Sequence, residues 1–429
     1  MLDMNLIRDK TDFVRANFER RKNPSIIKML DDLLDYDKKW RVALQEAEKL
    51  KAKRNAISRS LGGVSQKDKE AKIKETREIT DKINKIEIKV VKFEERVNEL
   101  RKLLPNLIHE SVPYGSDDSE NVEIRKWGKF PEFDFNPKSS TEILEGLGIA
   151  DIERAAKVSG SRFYYLKNEL VLLNLALQRF ALEHLFKKGY ELIEPPFMIK
   201  RKAMEGMVPL SDFEDVIYKV EGEDLHLIAT AEHPLGSMHM DEIIEKEKLP
   251  LKYAGVSPCF RKEAGSHGKD TKGIFRVHQF DKIEQFIFSK PEDSWTFHEE
   301  LINNAEELYK ALKIPYRIVN ICTGDLGVVA SKKYDLEGWF PGQGKYRELC
   351  SCSNCTDYQS RRAGIKYRPE PHLKSEYIHT LNATAVAIQR TICCIIENYQ
   401  TNEGFRIPKV LQEYMLGIKE VKLKNKQKA

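Results

Sequence analysis

Residues 257–280 read SPCFRKEAGSHGKDTKGIFRVHQF, two short runs joined by a segment rich in glycine, lysine and acidic residues. Each run alternates apolar and polar side chains, which predicts the two strands of a β-hairpin with a Gly/Lys loop between them. Side chains two positions apart share a strand face, so the hairpin presents one common surface. The side chains predicted on that surface are Cys259, Arg261, Glu263, Arg276, His278, Phe280, Lys282 and Glu284.

Such a surface suits a nucleotide together with an amino acid. Guanidinium forks bind phosphate through paired hydrogen bonds, an aromatic ring stacks on a base, and carboxylates accept hydrogen bonds from an ammonium or hydroxyl group. The alternative is an ordinary surface hairpin with cross-strand Arg–Glu ion pairs. The sequence contains neither a G-x-x-x-x-G-K-S/T loop nor a G-x-G-x-x-G turn before a helix, so a phosphate site here would use neither a P-loop nor a Rossmann fold.

The composition indicates a soluble protein of two or three domains. The chain has 429 residues, 41% of them hydrophobic and 32% charged, and no run approaches the roughly 20 apolar residues of a membrane span. The N-terminus resembles neither a secretory signal nor a transit peptide, which predicts a cytoplasmic protein without membrane association. Its seven cysteines are expected to be reduced thiols.

Residues 26–104 are predicted to form a long two-helix arm. Two proline-free stretches, joined by SLGGVSQKDKE with its tip near Gly62 and Gly63, carry apolar side chains at alternating steps of four and three. This spacing predicts an antiparallel coiled coil on the order of 50 to 58 Å long. The predicted seam residues are Tyr36, Trp40, Ala43, Ala47, Leu50, Arg54, Ile57 and Leu61, then Ile79, Ile83, Ile86, Val90, Phe93, Val97, Leu100 and Leu104.

Charge is unevenly distributed along this arm. The net charge of the chain is only +5, but basic side chains crowd the tip, whereas Asp31, Asp32, Asp35 and Asp37 lie at the base. The distribution favours contact with a polyanion, and a solvated coiled-coil face with local charge pairs is the alternative. The basic residues near the tip are Lys49, Lys51, Lys53, Arg54, Arg59, Lys67, Lys69, Lys72, Lys74 and Arg77.

The remainder of the chain predicts an α+β domain. A linker rich in proline, glycine and aspartate follows Pro105, and residues 170–190 form a Leu- and Ala-rich helix that ends at Gly189. Several alternating runs follow without regular strand–helix alternation, which predicts a mainly antiparallel sheet with flanking helices.

Four motifs in this order resemble those of class II aminoacyl-tRNA synthetases, and the whole chain is similar to seryl-tRNA synthetases of the common, zinc-independent, archaeal-like type. FRKEAG with GIFRVHQF resembles motif 2, FALEHLFKKGYELIEPPFM (180–198) resembles motif 1, and TAEHPL (230–235) resembles the TAE loop of the seryl family. LNATAVAIQRTICCIIENYQTNEGFRIPKVLQEYM (381–415) resembles motif 3 and the C-terminal signature of the family.

The resemblance implies a division of the chain into two parts. Residues 1–110 would be a tRNA-binding domain with the coiled-coil arm, and residues 111–429 a class II catalytic domain with an antiparallel sheet. Motif 1 would span about 170–198, motif 2 about 253–288 and motif 3 about 381–400.

It also implies the residues of the site. Catalysis is expected from Arg261, Arg390 and Glu348, with Glu348 and Ser351 holding Mg²⁺ through the phosphates of ATP. The implied ATP-binding residues are Arg261, Lys262, Glu263, Arg276, Val277, His278, Gln279, Phe280, Glu348, Leu349, Cys350, Ser351 and Arg390. The implied serine-binding residues are Thr230, Ala231, Glu232, Arg261, Glu284, Asn382 and Thr384.

The implied activity is that of a serine–tRNA ligase. ATP and L-serine would form seryl-adenylate and pyrophosphate, and serine would then pass to the 3′ end of tRNA(Ser), and of tRNA(Sec) where it is present. A homodimer formed through motif 1 is expected. Two other readings are a ligase that loads a carrier protein, which would lack the long arm, and a non-catalytic RNA-binding relative, which would have lost the motif arginines.

Three closely spaced cysteines invite a zinc interpretation. Cys352 and Cys355 form a C-x-x-C pair preceded by Cys350, but the sequence has no second such pair, and structural zinc usually takes four ligands. No zinc is therefore expected.

Overall fold

The structure is a computed structural model that describes residues 1–62, 65–209, 215–263 and 272–423. Gly63 at the predicted arm tip and most of the predicted Gly/Lys loop (264–271) lie outside these ranges. The chain packs as two units, Met1–Leu107 and Ile108–Ala429. None of the helices described is both long enough and apolar enough to span a bilayer.

The first unit is helical. The side chain of Asn23 accepts a hydrogen bond from the backbone of Ser25 at the start of the third helix, and Pro24 takes the first helical position, where its missing N–H costs nothing. Ser65 caps the fourth helix in the same way. The helices are α1 (Met4–Asp9), α2 (Thr11–Glu19), α3 (Pro24–Arg59) and α4 (Gln66–Leu103).

Helices α3 and α4 pack against each other as the predicted antiparallel coiled coil. All sixteen predicted seam residues are buried or half-buried, whereas off-seam Ile88 is 70% exposed. Tyr36 and Phe93 lie with ring centroids 6.1 Å apart, and Lys51 pairs with Glu87 at 2.7 Å. The prediction of the arm from its hydrophobic spacing is therefore confirmed.

A buried ion-pair cluster stands at the base of the arm. The side chain of Asp37 is 1% exposed and receives the Arg8 guanidinium through two hydrogen bonds of 2.5 and 3.0 Å. Arg41, one turn along α3, pairs with the same carboxylate at 3.0 Å.

Asp37→Ala is expected to lower the free energy of unfolding of the first unit by about 2 kcal/mol, because it leaves the partly buried Arg8 without a counter-charge. Asp35→Ala is the matched control, since the Asp35–Lys39 pair is about half exposed on both sides and should contribute less than about 0.5 kcal/mol. Urea unfolding followed by helical circular dichroism measures both. Equal effects of the two substitutions would contradict the assignment.

The second unit contains every strand described. Its strands are β1 (Val122–Trp127), β2 (Ala150–Asp151), β3 (Tyr165–Leu166), β4 (Glu191–Ile193), β5 (Met198–Lys200), β6 (Leu225–Leu227), β7 (Ile243–Glu245), β8 (Leu251–Phe260), β9 (Gln279–Ser289), β10 (Tyr316–Asn320), β11 (Lys332–Phe340), β12 (Lys345–Asn354), β13 (Lys366–Arg368), β14 (Glu376–Tyr377), β15 (His379–Ala387), β16 (Gln400–Thr401), β17 (Gly404–Arg406) and β18 (Glu420–Lys422).

Eight of these strands form one sheet in the order β1-β10-β11-β12-β15-β9-β8-β4. Every neighbouring pair is antiparallel except β4 with β8. The predicted α+β class with a mainly antiparallel sheet and flanking helices is confirmed. The helices are α5 (Ser140–Leu147), α6 (Ile152–Ser159), α7 (Glu169–Lys187), α8 (Arg201–Met207), α9 (Glu232–Ser237), α10 (Ser294–Ala311), α11 (Tyr358–Ala363) and α12 (Ile388–Asn398).

The β8–β9 hairpin is shorter than its alternation predicts. β8 ends at Phe260 and β9 begins at Gln279, so the arginines and Glu263 lie beyond the strands and not on a pleated face. Glu263 adopts a φ of +50°, a left-handed conformation that interrupts the extended backbone. Within the strands the predicted alternation holds, because Cys259 lies opposite Phe280 and the next positions of β9 on that face are Lys282 and Glu284.

Candidate active site

Two adjoining cavities lie in the second unit. The first has a volume of about 220 Å³ and the second of about 530 Å³. Arg261, Lys333 and Ser351 line both cavities, so the two spaces share a boundary. Two different small molecules can therefore meet at this boundary.

Most of the predicted ATP-binding residues line the first cavity. They come from the segments that follow β8 and precede β9, from the first residues of β9, from the middle of β12 and from the first turn of α12. Those lining it are Arg261, Glu263, Arg276, Val277, Phe280, Glu348, Leu349, Ser351 and Arg390.

Arg261 is held at the shared boundary by two contacts. Its Nε donates a hydrogen bond to the carbonyl of Ala229 at 3.2 Å, and its guanidinium lies 5.2 Å from the centroid of the Phe280 ring. The backbone around it is fixed too, since its N–H donates to the carbonyl of His278 at 2.9 Å. These contacts place a rigid, charged fork where the cavities meet.

Cation–aromatic contacts order a second part of the first cavity. Phe275 lies 3.9 Å from the Arg347 guanidinium and 5.1 Å from that of Arg390, measured to the ring centroid. Arg276 forms an ion pair with Glu263 at 2.9 Å. Several guanidinium groups thus line or adjoin a pocket that also contains an aromatic ring, a set suited to polyphosphate and base.

Glu348 lies against Arg390 on the sheet side of this cavity. The Nη1 of Arg390 is 3.2 Å from both the carboxylate and the backbone carbonyl of Glu348. Burial alone would raise the pKa of Glu348, but the charges of Arg390 and Lys333 outweigh it and hold that pKa low. Glu348 is therefore an ionised carboxylate, and its side chain remains 45% exposed.

The second cavity carries the TAE residues. Thr230 precedes α9 and Glu232 is its first residue, and both side chains line the cavity with Asn382 of β15. Burial and then Glu284 raise the pKa of Glu232 to about 7. Burial also lowers the pKa of the next residue, His233, to about 3, so that imidazole is neutral at physiological pH.

Glu284 is covered by a lysine. The Nζ of Lys282 lies 2.5 Å from the Glu284 carboxylate and donates to the Thr230 hydroxyl at 2.7 Å. The Thr384 hydroxyl donates to the same carboxylate at 3.3 Å. Glu284 is 2% exposed and lies behind the cavity wall, whereas Lys282 and Thr384 line the first cavity.

The comparisons with known proteins agree over the full length. Residues 1–108 match the seryl-tRNA synthetase N-terminal domain, and residues 216–399 match the tRNA synthetase class II core domain (G, H, P, S and T). A serine–tRNA ligase of Thermococcus onnurineus is 51% identical, over 98% of this chain and 97% of its own. The chain belongs to the seryl-tRNA synthetase family.

Solved structures of the family have the same fold. The Pyrococcus horikoshii seryl-tRNA synthetase complexed with ATP superposes with a TM-score of 0.94 at 49% identity, covering 99% of this chain and 100% of that one. The Naegleria fowleri cytoplasmic serine–tRNA ligase in complex with AMP has a TM-score of 0.90 at 40% identity, with 99% of each chain covered. The resemblance to archaeal seryl-tRNA synthetases is thereby confirmed.

Some residues implied by the family lie away from the cavities. The Cys350 thiol donates to the carbonyl of Ala385 at 3.4 Å inside the core, and Ala231 is fully buried at the start of α9. Lys262 lies 5.9 Å from the Tyr218 ring, and Gln279 is exposed at the start of β9. His278 supports Arg261, since its Nδ1 is 2.7 Å from the Arg261 carbonyl.

The sequence reasoning did not assign several charged residues in or beside the site, among them Lys282, Lys333 and Asp335. Lys282 lay on the predicted hairpin face but was not assigned a role in the site. Lys333 lines both cavities and pairs with Asp335 at 3.2 Å; burial raises the pKa of Asp335 to about 7. Both lie on β11, where Asp335 is opposite Ser351 of β12. That Lys333 and Asp335 lie near the site can be recognised only once the pairing of β11 with β12 is known.

The three clustered cysteines are dispersed among different partners. The Cys352 thiol donates to the carbonyl of His298 at 3.5 Å, and Cys355 accepts from the Asn382 amide at 3.7 Å. Within the described ranges, no three His, Cys, Asp or Glu side chains are grouped as metal ligands would be.

Proposed function

We propose that this chain activates L-serine with ATP, giving seryl-adenylate and pyrophosphate, and then transfers serine to the 3′ end of tRNA(Ser), and of tRNA(Sec) where it is present. The observation that carries the proposal is the pair of cavities that share Arg261. One is lined by arginines and an aromatic ring, the other by a threonine and a carboxylate. The family relatives named serine–tRNA ligase, and the relative complexed with ATP, support this reading.

In the first step, a carboxylate oxygen of serine attacks the α-phosphorus of ATP and the bond to pyrophosphate breaks. Arg261 reaches both cavities, so its fork can bind the serine carboxylate and the α-phosphate and hold them in line. Arg276, Arg390 and Phe280 also line the first cavity; the two arginines are assigned to the outer phosphates and Phe280 to adenine. This step requires no protein nucleophile, because positioning and charge neutralisation supply the catalysis.

Two oxygen-bearing side chains of the first cavity suit Mg²⁺ bound together with ATP. Glu348 offers an ionised carboxylate and Ser351 a hydroxyl, and both line the first cavity. Mg²⁺ prefers such oxygen ligands and is commonly held by one or two protein groups together with phosphate oxygens and water. When bound, it would neutralise charge on the phosphates, while Arg390 keeps Glu348 ionised and oriented.

The second cavity suits the ammonium and hydroxyl groups of serine. Glu232 and Thr230 offer oxygen acceptors, and Asn382 offers an amide. Contact with Glu284 would require the Lys282–Glu284 ion pair to open. A site that hydrogen-bonds the hydroxyl discriminates against alanine, since alanine would leave buried polar groups unpaired.

The arm and one face of the second unit suit macromolecular partners. The basic arm tip is assigned to the tRNA backbone.

The exposed apolar side chains of Leu175, Phe186 and Leu192, on α7 and β4, are assigned to a homodimer interface. Light scattering on the full chain should give twice the mass of 49.7 kDa, and a monomer at micromolar concentration would contradict this assignment. We assign the chain to the cytoplasm.

The decisive experiment is ATP–pyrophosphate exchange with each of the twenty amino acids, followed by charging of total tRNA. Exchange should depend on serine, and only tRNAs that accept serine should be charged. Exchange with serine but no charging would favour another acceptor, and exchange with a different amino acid would overturn the proposal.

The raised pKa of Glu232 predicts a pH dependence. Below about pH 7 the carboxyl of the free enzyme takes up a proton and can no longer receive the serine ammonium as an ion. The kcat/KM for serine should therefore rise about fivefold from pH 6 to pH 7 and about twofold more to pH 8, and level off above about pH 8. Glu232→Gln should be slow at every pH and show no such rise. An unchanged pH profile in this variant would contradict the assignment.

A further inference from the structure

Gln359 is a fully buried side chain on α11 that reaches the wall of the second cavity from behind. Its Nε2 donates to the Glu232 carboxylate at 2.8 Å and to the carbonyl of Met207 at 3.4 Å. Its Oε1 accepts from the Thr380 hydroxyl at 2.7 Å. None of the sequence motifs includes Gln359.

These partners fix the orientation of the amide. The carbonyl of Met207 can only accept, and an ionised Glu232 can only accept, so both must face the NH₂ group. The Thr380 hydroxyl then donates to the remaining oxygen. Thr380 lies in β15 opposite Phe288 of β9, and its N–H donates to the carbonyl of Thr356 at 2.9 Å. A rigid chain of hydrogen bonds thus runs from β15 through Gln359 to Glu232.

Charged and titratable groups from several elements surround Glu232. Lys282 and Glu284 lie on β9, Arg261 follows β8, His233 is the next residue of α9, and Cys355 follows β12 in the same cavity. Burial and Glu284 favour the neutral acid, whereas Lys282, Gln359 and Arg261 favour the carboxylate. Of the three groups that favour the carboxylate, Gln359 is uncharged, unlike Lys282 and Arg261. Its amide fixes the direction of one carboxylate oxygen of Glu232 and leaves the other oxygen available.

We propose that Gln359 is a positioning residue for serine, whose amide orients Glu232 as the acceptor of the substrate ammonium. This inference rests on the proposed function and deepens it. A hydrogen bond from an amide to an ionised carboxylate is stronger than one to a neutral acid, so the Gln359 amide favours the charged form of Glu232. Its loss should therefore weaken serine binding without touching the ATP side of the site.

The test is Gln359→Met, which keeps the length and volume of the side chain and removes both the donor and the acceptor. In serine-dependent exchange by the full chain, kcat/KM for serine should fall about tenfold or more at pH 7, while the KM for ATP changes by less than about twofold. The midpoint of the serine pH profile should move to higher pH. Raising the pH to 8.5 should recover the part of the loss that comes from protonation of Glu232, whereas the part that comes from lost orientation should remain.

Three further variants separate positioning from damage to the fold. Thr380→Val, which frees the amide, should shift the serine profile in the same direction, and Thr380→Ser, which keeps the hydroxyl, should not. Ser360→Ala is the matched control on α11, because its hydroxyl donates to the carbonyls of Asp357 and Ile378 and not to Glu232. It should leave the profile unchanged even if it lowers the thermal unfolding temperature.

The outcomes distinguish this inference from the proposed function. If the wild-type chain shows no exchange with serine, the proposed function fails. If it does, and Gln359→Met either matches wild type or loses serine and ATP efficiency equally at every pH, then the positioning role alone is overturned. Should Gln359→Met not fold, the contrast between Thr380→Val and Thr380→Ser decides, and identical profiles for those two variants overturn the role.

Discussion

Arg261→Ala is expected to lower serine-dependent ATP–pyrophosphate exchange by about 10³-fold or more. Arg261 lines both cavities and is therefore placed to contact both reacting groups. Its position is set by the carbonyl of Ala229 and the ring of Phe280, so the free enzyme already holds the fork in place. Alanine removes the charge and leaves a gap where the α-phosphate and serine carboxylate would otherwise be held in line.

A second substitution at Arg261 and a control at a distant arginine test whether the planar guanidinium itself is required. Arg261→Lys keeps the positive charge but loses the planar fork, so its exchange rate should lie well below wild type and above that of alanine. Arg154→Ala, at an exposed guanidinium on α6, should change the rate by less than about twofold. Wild-type exchange in Arg261→Ala would show that the shared boundary of the cavities is not where the chemistry occurs.

The arm and the class of the second unit could be predicted from the sequence because both follow from local patterns. A repeat of four and three along a helix determines which side chains meet, whatever the rest of the chain does. The β8–β9 hairpin was predicted less accurately, since alternation says nothing of where a strand ends. β8 ends at Phe260 and β9 begins at Gln279, so Arg261 and Arg276 lie outside the sheet, and the left-handed backbone at Glu263 turns the chain away from it.

The assigned site residues came from family motifs, and the missed ones depend on contacts between distant segments. Lys333 and Asp335 reach the site because β11 pairs with β12. Gln359 reaches Glu232 from 127 positions away along the chain. Neither pairing leaves a periodic signal in the sequence, so no pattern could have shown them. Cys350 illustrates the reverse, since its neighbours line the cavity while strand alternation turns its thiol into the core.

Removal of residues 44–86, with a short glycine–serine linker in their place, is expected to preserve serine-dependent exchange and to lower tRNA charging by about 10²-fold or more. The deletion retains the Tyr36–Phe93 contact and the Asp37 cluster, so the base of the first unit stays packed. The two cavities proposed for exchange are lined by residues of the second unit, which has its own core. The deletion should therefore lower tRNA charging while serine-dependent exchange continues.

The physical reason lies in where the charge of the chain resides. Residues 44–86 contain twelve basic and seven acidic side chains, and that excess of five equals the net charge of the whole chain, +5. The remaining residues contain equal numbers of basic and acidic side chains, so binding of a polyanion at the outer arm would release the most counterions.

Lys67, Lys69 and Lys74 changed together to Gln should weaken charging and its salt dependence without shortening the arm. The same change at Lys38, Lys89 and Lys92, nearer the base, is the control. Charging that survives the truncation would place the tRNA contacts of this chain elsewhere and leave the basic tip as a solvated coiled-coil surface.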